Sequence, residues 1–142
     1  MKTIRLILSV ALLTSFATVF NSCTEEDPTE ADRVGGILKS GEWKLSSFTL
    51  DGVSKPSFDG LKIIFNDDGF TSVDGAGVWP ASGTWAFTDD TGKSFKRNDE
   101  TVVEIQSVTE NSLTMSFQWT VTTIGPGRVS SVPGMHVFVM SK

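Results

Sequence analysis

The chain has 142 residues, 39% of them hydrophobic, with 12 basic residues against 17 acidic ones and a formal net charge of −5. A surface of that sign repels phosphate backbones and anionic bilayers, so neither nucleic acid nor a purely electrostatic membrane contact is expected. The single cysteine and single histidine allow no disulfide within the chain and are too few for a zinc site, so no metal and no cofactor is expected.

Lys2 and Arg5 head the apolar run Leu6–Phe20, which is broken only by Ser and Thr. A positive head, an apolar run and a small residue before the cut are the parts of a secretory signal. The run is shorter than the about 20 residues a membrane-spanning helix needs. Asn21-Ser22-Cys23 follows, and then the acidic stretch Thr24-Glu25-Glu26-Asp27-Pro28. Ser22-Cys23 resembles the junction where a bacterial lipoprotein signal peptidase cuts before a cysteine that carries diacylglycerol, although Phe20 stands where that pattern has Leu. The acidic stretch is similar to the export tether of Bacteroidetes surface lipoproteins. The expectation is a lipoprotein signal peptide over 1–22, a lipidated Cys23, an acidic tether over 23–30 and one domain over 31–142. Such a protein is held in the outer membrane by its acyl chains, at about 0.8 kcal/mol per buried CH₂, and faces the cell exterior. An ordinary secretory signal with a free Cys23 is the alternative.

Residues 31–39, Ala-Asp-Arg-Val-Gly-Gly-Ile-Leu-Lys, read as one or two helical turns weakened by Gly35-Gly36. From Gly41 onward the hydrophobic period is two, the period of strands. Strands are expected at Glu42–Leu50, Leu61–Asn66, Phe70–Val73, Ser82–Thr88, Ser94–Arg97, Thr101–Val108, Ser112–Thr123 and Met135–Met140. Asp51-Gly52, Asp67-Asp68-Gly69, Asp89-Asp90-Thr91-Gly92 and Glu110-Asn111 supply the turns, and Asp67-Asp68-Gly69 reads as a hairpin turn because Gly tolerates the positive φ such turns require. Asp74–Ala81 is a Gly-rich loop holding Trp79-Pro80, and Ile124–Pro133 reads as a loop. The long run Ser112–Thr123 alternates Leu113, Met115, Phe117, Trp119 and Val121 with Thr and other polar residues, the pattern of a half-buried strand. Eight antiparallel strands with short turns suit a closed up-and-down barrel or a sandwich, because both deal with exposed strand edges.

Four segments carry a family likeness. They are Gly41-Glu42-Trp43-Lys44-Leu45, Leu61–Phe70 with its Asp-Gly turn, Ser82-Gly83-Thr84-Trp85-Ala86-Phe87, and Ser112-Leu113-Thr114-Met115. In this order the chain, over about residues 31–142, resembles the bacterial lipocalin-like domains common among Bacteroidetes lipoproteins. The resemblance implies an all-β fold, an eight-stranded antiparallel up-and-down barrel with a short N-terminal helix, and carriage of a small apolar molecule. In true lipocalins an Arg from a late strand packs on the first Gly-x-Trp tryptophan. Arg128 is the one candidate for that place, and it lies in a loop.

Chemistry is thinly supplied. His136 is the one residue on which a Ser–His–Asp site could be built, and a strand histidine is more often a rim or surface residue. The carboxylate pairs at Asp67-Asp68, Asp89-Asp90 and Asp99-Glu100 lack the alternating spacing of a calcium loop and sit where turns need solvation. No Gly-rich phosphate loop opens a helix. A non-catalytic binding protein is expected. Trp43, Trp85, Phe117 and Trp119 are candidates for the barrel core or for the lining of a ligand cavity. Trp79, on its loop, is either an exposed platform for a sugar or a partner protein, or a plug folded over the barrel mouth. Two readings stay open: a barrel that binds a small apolar or amphipathic ligand, and a solid barrel whose loops bind a partner protein or a glycan.

Overall fold

The computed structural model describes residues 27–125 and 128–142, and of residues 123–125 and 128–131 the backbone alone. The signal, Cys23, the first part of the tether and the Arg128 side chain therefore lie outside the described residues.

Thr29 starts the helix α1 (Glu30–Lys39) with a capping box: its hydroxyl accepts the Asp32 N–H while the Asp32 carboxylate accepts the Thr29 N–H. These bonds satisfy donors that a helix N-terminus otherwise leaves orphaned. Val34, Ile37 and Leu38 form the buried face. The helix is longer than the expected segment by Glu30, because the cap and the tertiary burial outweigh the two glycines.

The strands are β1 (Glu42–Leu50), β2 (Val53–Ser54), β3 (Lys62–Phe65), β4 (Phe70–Val73), β5 (Ser82–Gly83), β6 (Trp85–Phe87), β7 (Ser94–Arg97), β8 (Val102–Val108), β9 (Ser112–Trp119), β10 (Thr123–Gly125), β11 (Arg128–Ser131) and β12 (Gly134–Ser141). The main sheet runs β5-β4-β3-β1-β12-β9-β8-β7-β6, with β2 on β1. Its two ends, β5 and β6, are halves of one expected strand, Ser82–Thr88, separated by Thr84 alone. The first half pairs with β4 and the second with β7. Counted that way, eight strand runs form a nearly closed antiparallel barrel, and the chain itself bridges the last gap.

The alternation that identifies the strands slips by one residue in two places. Between Leu45 and Ser47 the pairing with β12 shifts, so that Ser46 is extra. Trp43 and Leu45 face inward before it, Phe48 and Leu50 after it. The same shift at Gln106 keeps Val103, Ile105 and Val108 on the core side of β8. A bulge inserts one residue and reverses the phase of every side chain beyond it.

Three expectations are corrected. The seventh strand ends at Trp119 rather than Thr123. The segment 124–133 is no plain loop: β10 and β11 pair there as a separate hairpin. And β2, two residues long, was hidden behind the Asp51-Gly52 turn. A run of two residues carries no period.

Helix α1 lies across one end of the barrel, hereafter the floor. The Ala31 N–H donates to the Asp90 carbonyl at 3.1 Å, Lys39 pairs with Asp67 at 2.5 Å, and a Cβ added at Gly35 would stand 3.3 Å from the Phe87 ring. At the other end, the mouth, stand the segments 51–61, 74–81, 98–101, 120–125 and 128–133.

Candidate functional site

Two aromatic groups fill the barrel. Near the floor, Phe65, Trp85, Phe87 and Phe95 meet edge to face, and Trp85 Nε1 donates to the Asn66 and Gly69 carbonyls, pinning the β3–β4 turn. Trp43 is fully buried between helix and barrel. Its Nε1 donates to the Leu38 carbonyl at 2.9 Å, and the Lys142 ammonium sits 4.5 Å from its ring centre. A cation does pack on this tryptophan, from Lys142, the residue that follows β12, the strand that pairs with Trp43's own.

Towards the mouth, Phe48, Phe58, Phe117, His136 and Phe138 stack or meet at 4.7–6.1 Å between ring centres. Trp79 joins them. Only 1% of its surface is exposed, so it is a plug and not a platform. Of the five expected site residues inside the domain, Trp43, Trp79 and Phe117 are buried, while Trp85 and Trp119 are half-buried. The structure brings Trp79, Phe117 and Trp119 into one group, with Trp85 and Trp43 at the other end.

His136 is no rim residue: it is 1% exposed, and its ring lies parallel to Phe117 at 5.8 Å. Its Nδ1 is 3.0 Å from the Gly134 carbonyl. Burial pushes its pKa below the usual histidine value, against the opposing effects of that carbonyl and of Asp51. The neutral form is favoured in the fold, so the unfolded chain binds more protons below about pH 6.5. Stability is accordingly expected to be full above pH 7 and to fall as pH drops below about 6.5, at no more than about 1.4 kcal/mol per pH unit for one proton. Denaturant titrations at several pH values check this, and His136→Phe should flatten the slope in that range.

Sequence reasoning missed Arg97. It is 1% exposed and stands on the inward side of β7, two residues after Phe95. Its Nε donates to Asp99 at 3.1 Å, its Nη2 donates to Asp99 and Thr101, and its Nη1 donates to the Val78 carbonyl at 2.9 Å. The guanidinium carbon lies 4.7 Å from the Trp79 ring centre and 5.3 Å from that of Phe117. Burial raises the pKa of Asp99, but the Arg97 hydrogen bonds and charge, with Thr101, hold it below the ordinary carboxylate value overall. The available signal was position: a charged residue in phase with inward Phe95.

Two side chains tie the Trp79 loop down. Ser72 donates to the Pro80 carbonyl at 2.8 Å and reaches that of Trp79 at 3.2 Å, and Arg97 holds Val78. Gly75 is needed there, since a Cβ would collide with the Trp79 carbonyl. Asp74 and Ala76 take left-handed backbone at φ 57° and 48°, a conformation that costs a non-glycine residue about 1–2 kcal/mol. Trp79 Nε1 is buried without an acceptor among the described residues, a loss of about 1–3 kcal/mol. Among the described residues no group of three His, Cys, Asp or Glu side chains is placed to hold a metal ion.

No curated protein and no solved structure matches the chain. A family model does: that of the lipocalin-like domain, over residues 40–115. The match takes in the Trp43 strand, the Trp79 loop, the Trp85 strand and Arg97. It spans more than half of the chain, whose nearly closed antiparallel barrel and floor helix agree with it, and the chain belongs to the lipocalin-like domain family.

Proposed function

We propose that this protein is a non-catalytic binding module, anchored in the outer membrane through a lipidated Cys23 and facing the cell exterior, whose barrel takes a small apolar or amphipathic ligand at its mouth. The lipocalin-like barrel supports small-ligand binding in general. One observation carries the narrower reading. The floor-end core is built by strands and the helix, whereas at the mouth Phe58 and Trp79 are delivered by loops. A loop-borne side chain can leave without breaking the strand ladder. The mouth is thus the end of the core that can be vacated. Helix α1, which follows the tether, lies at the floor, so a short tether from Cys23 would set the floor toward the bilayer and the mouth away from it.

Native mass spectrometry of the protein purified from its own host tests the binding reading. A retained small molecule that leaves on denaturation is the expected result, and a bare polypeptide mass from every preparation contradicts it. The anchor is tested by metabolic labelling with a palmitate analogue: the parent should label and Cys23→Ala should not.

A second reading is favoured by a different feature. Beside the bulge at Ser46 lies an open groove of about 410 Å³ whose lining sets four serines, Lys55 and Asp59 beside Leu45, Phe48 and Pro56. Hydroxyls with one charge of each sign suit a glycan rather than an apolar molecule. In this reading the barrel stays solid and its outer loops bind.

A further inference from the structure

Trp79 sits in a box. Phe70, Phe117 and Phe138 meet its indole at 5.7, 5.8 and 6.2 Å between ring centres and at 90°, 83° and 81°. The Arg97 guanidinium lies 4.7 Å from its ring centre. All four of those residues stand on strands, and Trp79 alone comes from a loop. The box supplies a ring-sized space with rings across it and a cation, which suits the negative face and positive edge of an aromatic ring. Among the described residues it supplies no acceptor for a ring N–H, and Trp79 Nε1 has no partner there. The indole therefore matches the box in shape and charge and mismatches it by one donor.

The loop that brings the indole in also occupies a second position. Its Val78 carbonyl takes the Nη1–H of Arg97. When the loop leaves, Arg97 keeps Asp99 and Thr101 and gives up that one acceptor. An occupant that replaces both features carries a flat ring without a ring N–H, and an oxygen that accepts from Arg97.

We propose that Trp79 is an internal stand-in for an aromatic ligand bearing a carbonyl or carboxylate oxygen, and that the loop 74–81 is the lid that such a ligand displaces. The proposal rests on the small-ligand reading above and narrows it to one ligand class and one box. The left-handed Asp74 and Ala76 lie within the lid, so opening it releases strain as well as the unpaired N–H.

The test uses 2-naphthoate, with dodecanoate as the aliphatic comparison, on the full mature chain. The four indole N–H signals of the ¹⁵N-labelled protein are followed by NMR, that of Trp79 being the one absent from Trp79→Phe. Saturating 2-naphthoate should move the Trp79 signal to the position and exchange rate of a solvent-exposed indole, and dodecanoate should bind at least tenfold more weakly. Trp79→Ala removes the competing occupant, so it should bind 2-naphthoate at least tenfold more tightly than the parent. If Trp79→Ala does not fold, the wild-type signal decides alone. A Trp79 signal unchanged at saturation overturns the proposal, and so does a folded Trp79→Ala with unimproved affinity. Tight dodecanoate binding with Trp79 still shielded, or a retained host ligand without an aromatic ring, overturns this proposal and leaves the small-ligand reading standing. Failure of both probes, together with a bare mass from the host, removes both.

Discussion

Trp43→Ala should remove about 3–5 kcal/mol of stability, the range for truncating a fully buried large aromatic. Against a total of about 5–15 kcal/mol for a domain of this kind, that is a large share, and at the low end of the range it leaves a sizeable fraction of the molecules unfolded. The reason is the position of the ring. Trp43 is 0% exposed and is the one side chain that packs on the barrel core, donates to the helix at Leu38 and lies under Lys142. Truncation leaves a cavity, an orphaned Leu38 carbonyl and a cation without its ring. Trp43→Phe separates these effects. It restores most of the apolar burial but neither the N–H nor the full ring, and should lose about 1–2 kcal/mol. Guanidinium unfolding followed by far-ultraviolet circular dichroism measures both. A loss below about 1 kcal/mol for Trp43→Ala would mean that the helix is not docked through this residue.

The barrel was legible from the chain because period-two alternation survives in most strands. Leu113, Met115 and Phe117 are buried as the pattern required, Ser112 and Gln118 are exposed, and Ser116 departs from the pattern by being covered. Glu42–Leu50, Phe70–Val73 and Ser94–Arg97 have the bounds expected of them. What escaped has common causes. Bulges at Ser46 and Gln106 are one-residue events, visible only when the partner strand is known. The break at Thr84 closes the barrel, and closure is a property of eight strands together, not of six residues.

The site was less legible than the fold. The aromatics on strands could be marked as inward, but whether they enclose a space or fill it depends on a loop. Trp79 was singled out for standing among small residues, and both its possible places, outside and inside, fit that local sequence. Its burial is decided by Phe70, Phe117, Phe138 and Arg97, which come from four different strands. Arg97 and Asp99 were passed over because a charge near a turn is usually solvated, and here the chain turns back over itself. Lys142 could not be matched to Trp43 because the pair is nearly 100 residues apart.

Asp99→Asn should be more damaging than Arg97→Met, although both break the same pair. The Arg97 side chain is 0% exposed and that of Asp99 is 30% exposed. Neutralising the carboxylate leaves a guanidinium buried with amide, hydroxyl and carbonyl acceptors only. Stranding a buried charge typically costs about 3–5 kcal/mol, and partial exposure of Asp99 to water reduces the expected loss here to about 2–3 kcal/mol. The Asn side chain still accepts the Thr101 N–H, so the turn itself is kept. Arg97→Met removes the charge that had to be desolvated, fills similar volume and leaves Asp99 free to hydrate. Replacing buried ionic groups by apolar ones of like size is often near neutral. The lost hydrogen bond to Val78 and the lost contact with Trp79 together should hold the net loss to about 1–2 kcal/mol. In the double variant no charge is stranded, so its stability should match Arg97→Met and not the sum of the two single losses. The acid limb adds an independent reading. Because Asp99 has a lowered pKa in the fold, it contributes stability above the ordinary carboxylate range that is lost as pH falls below about 4. Asp99→Asn should remove that part of the slope below pH 4. A double-mutant cycle in which Arg97→Met costs more than Asp99→Asn would show that Arg97 serves chiefly as a tie for the Trp79 loop and not as a charge that Asp99 must neutralise.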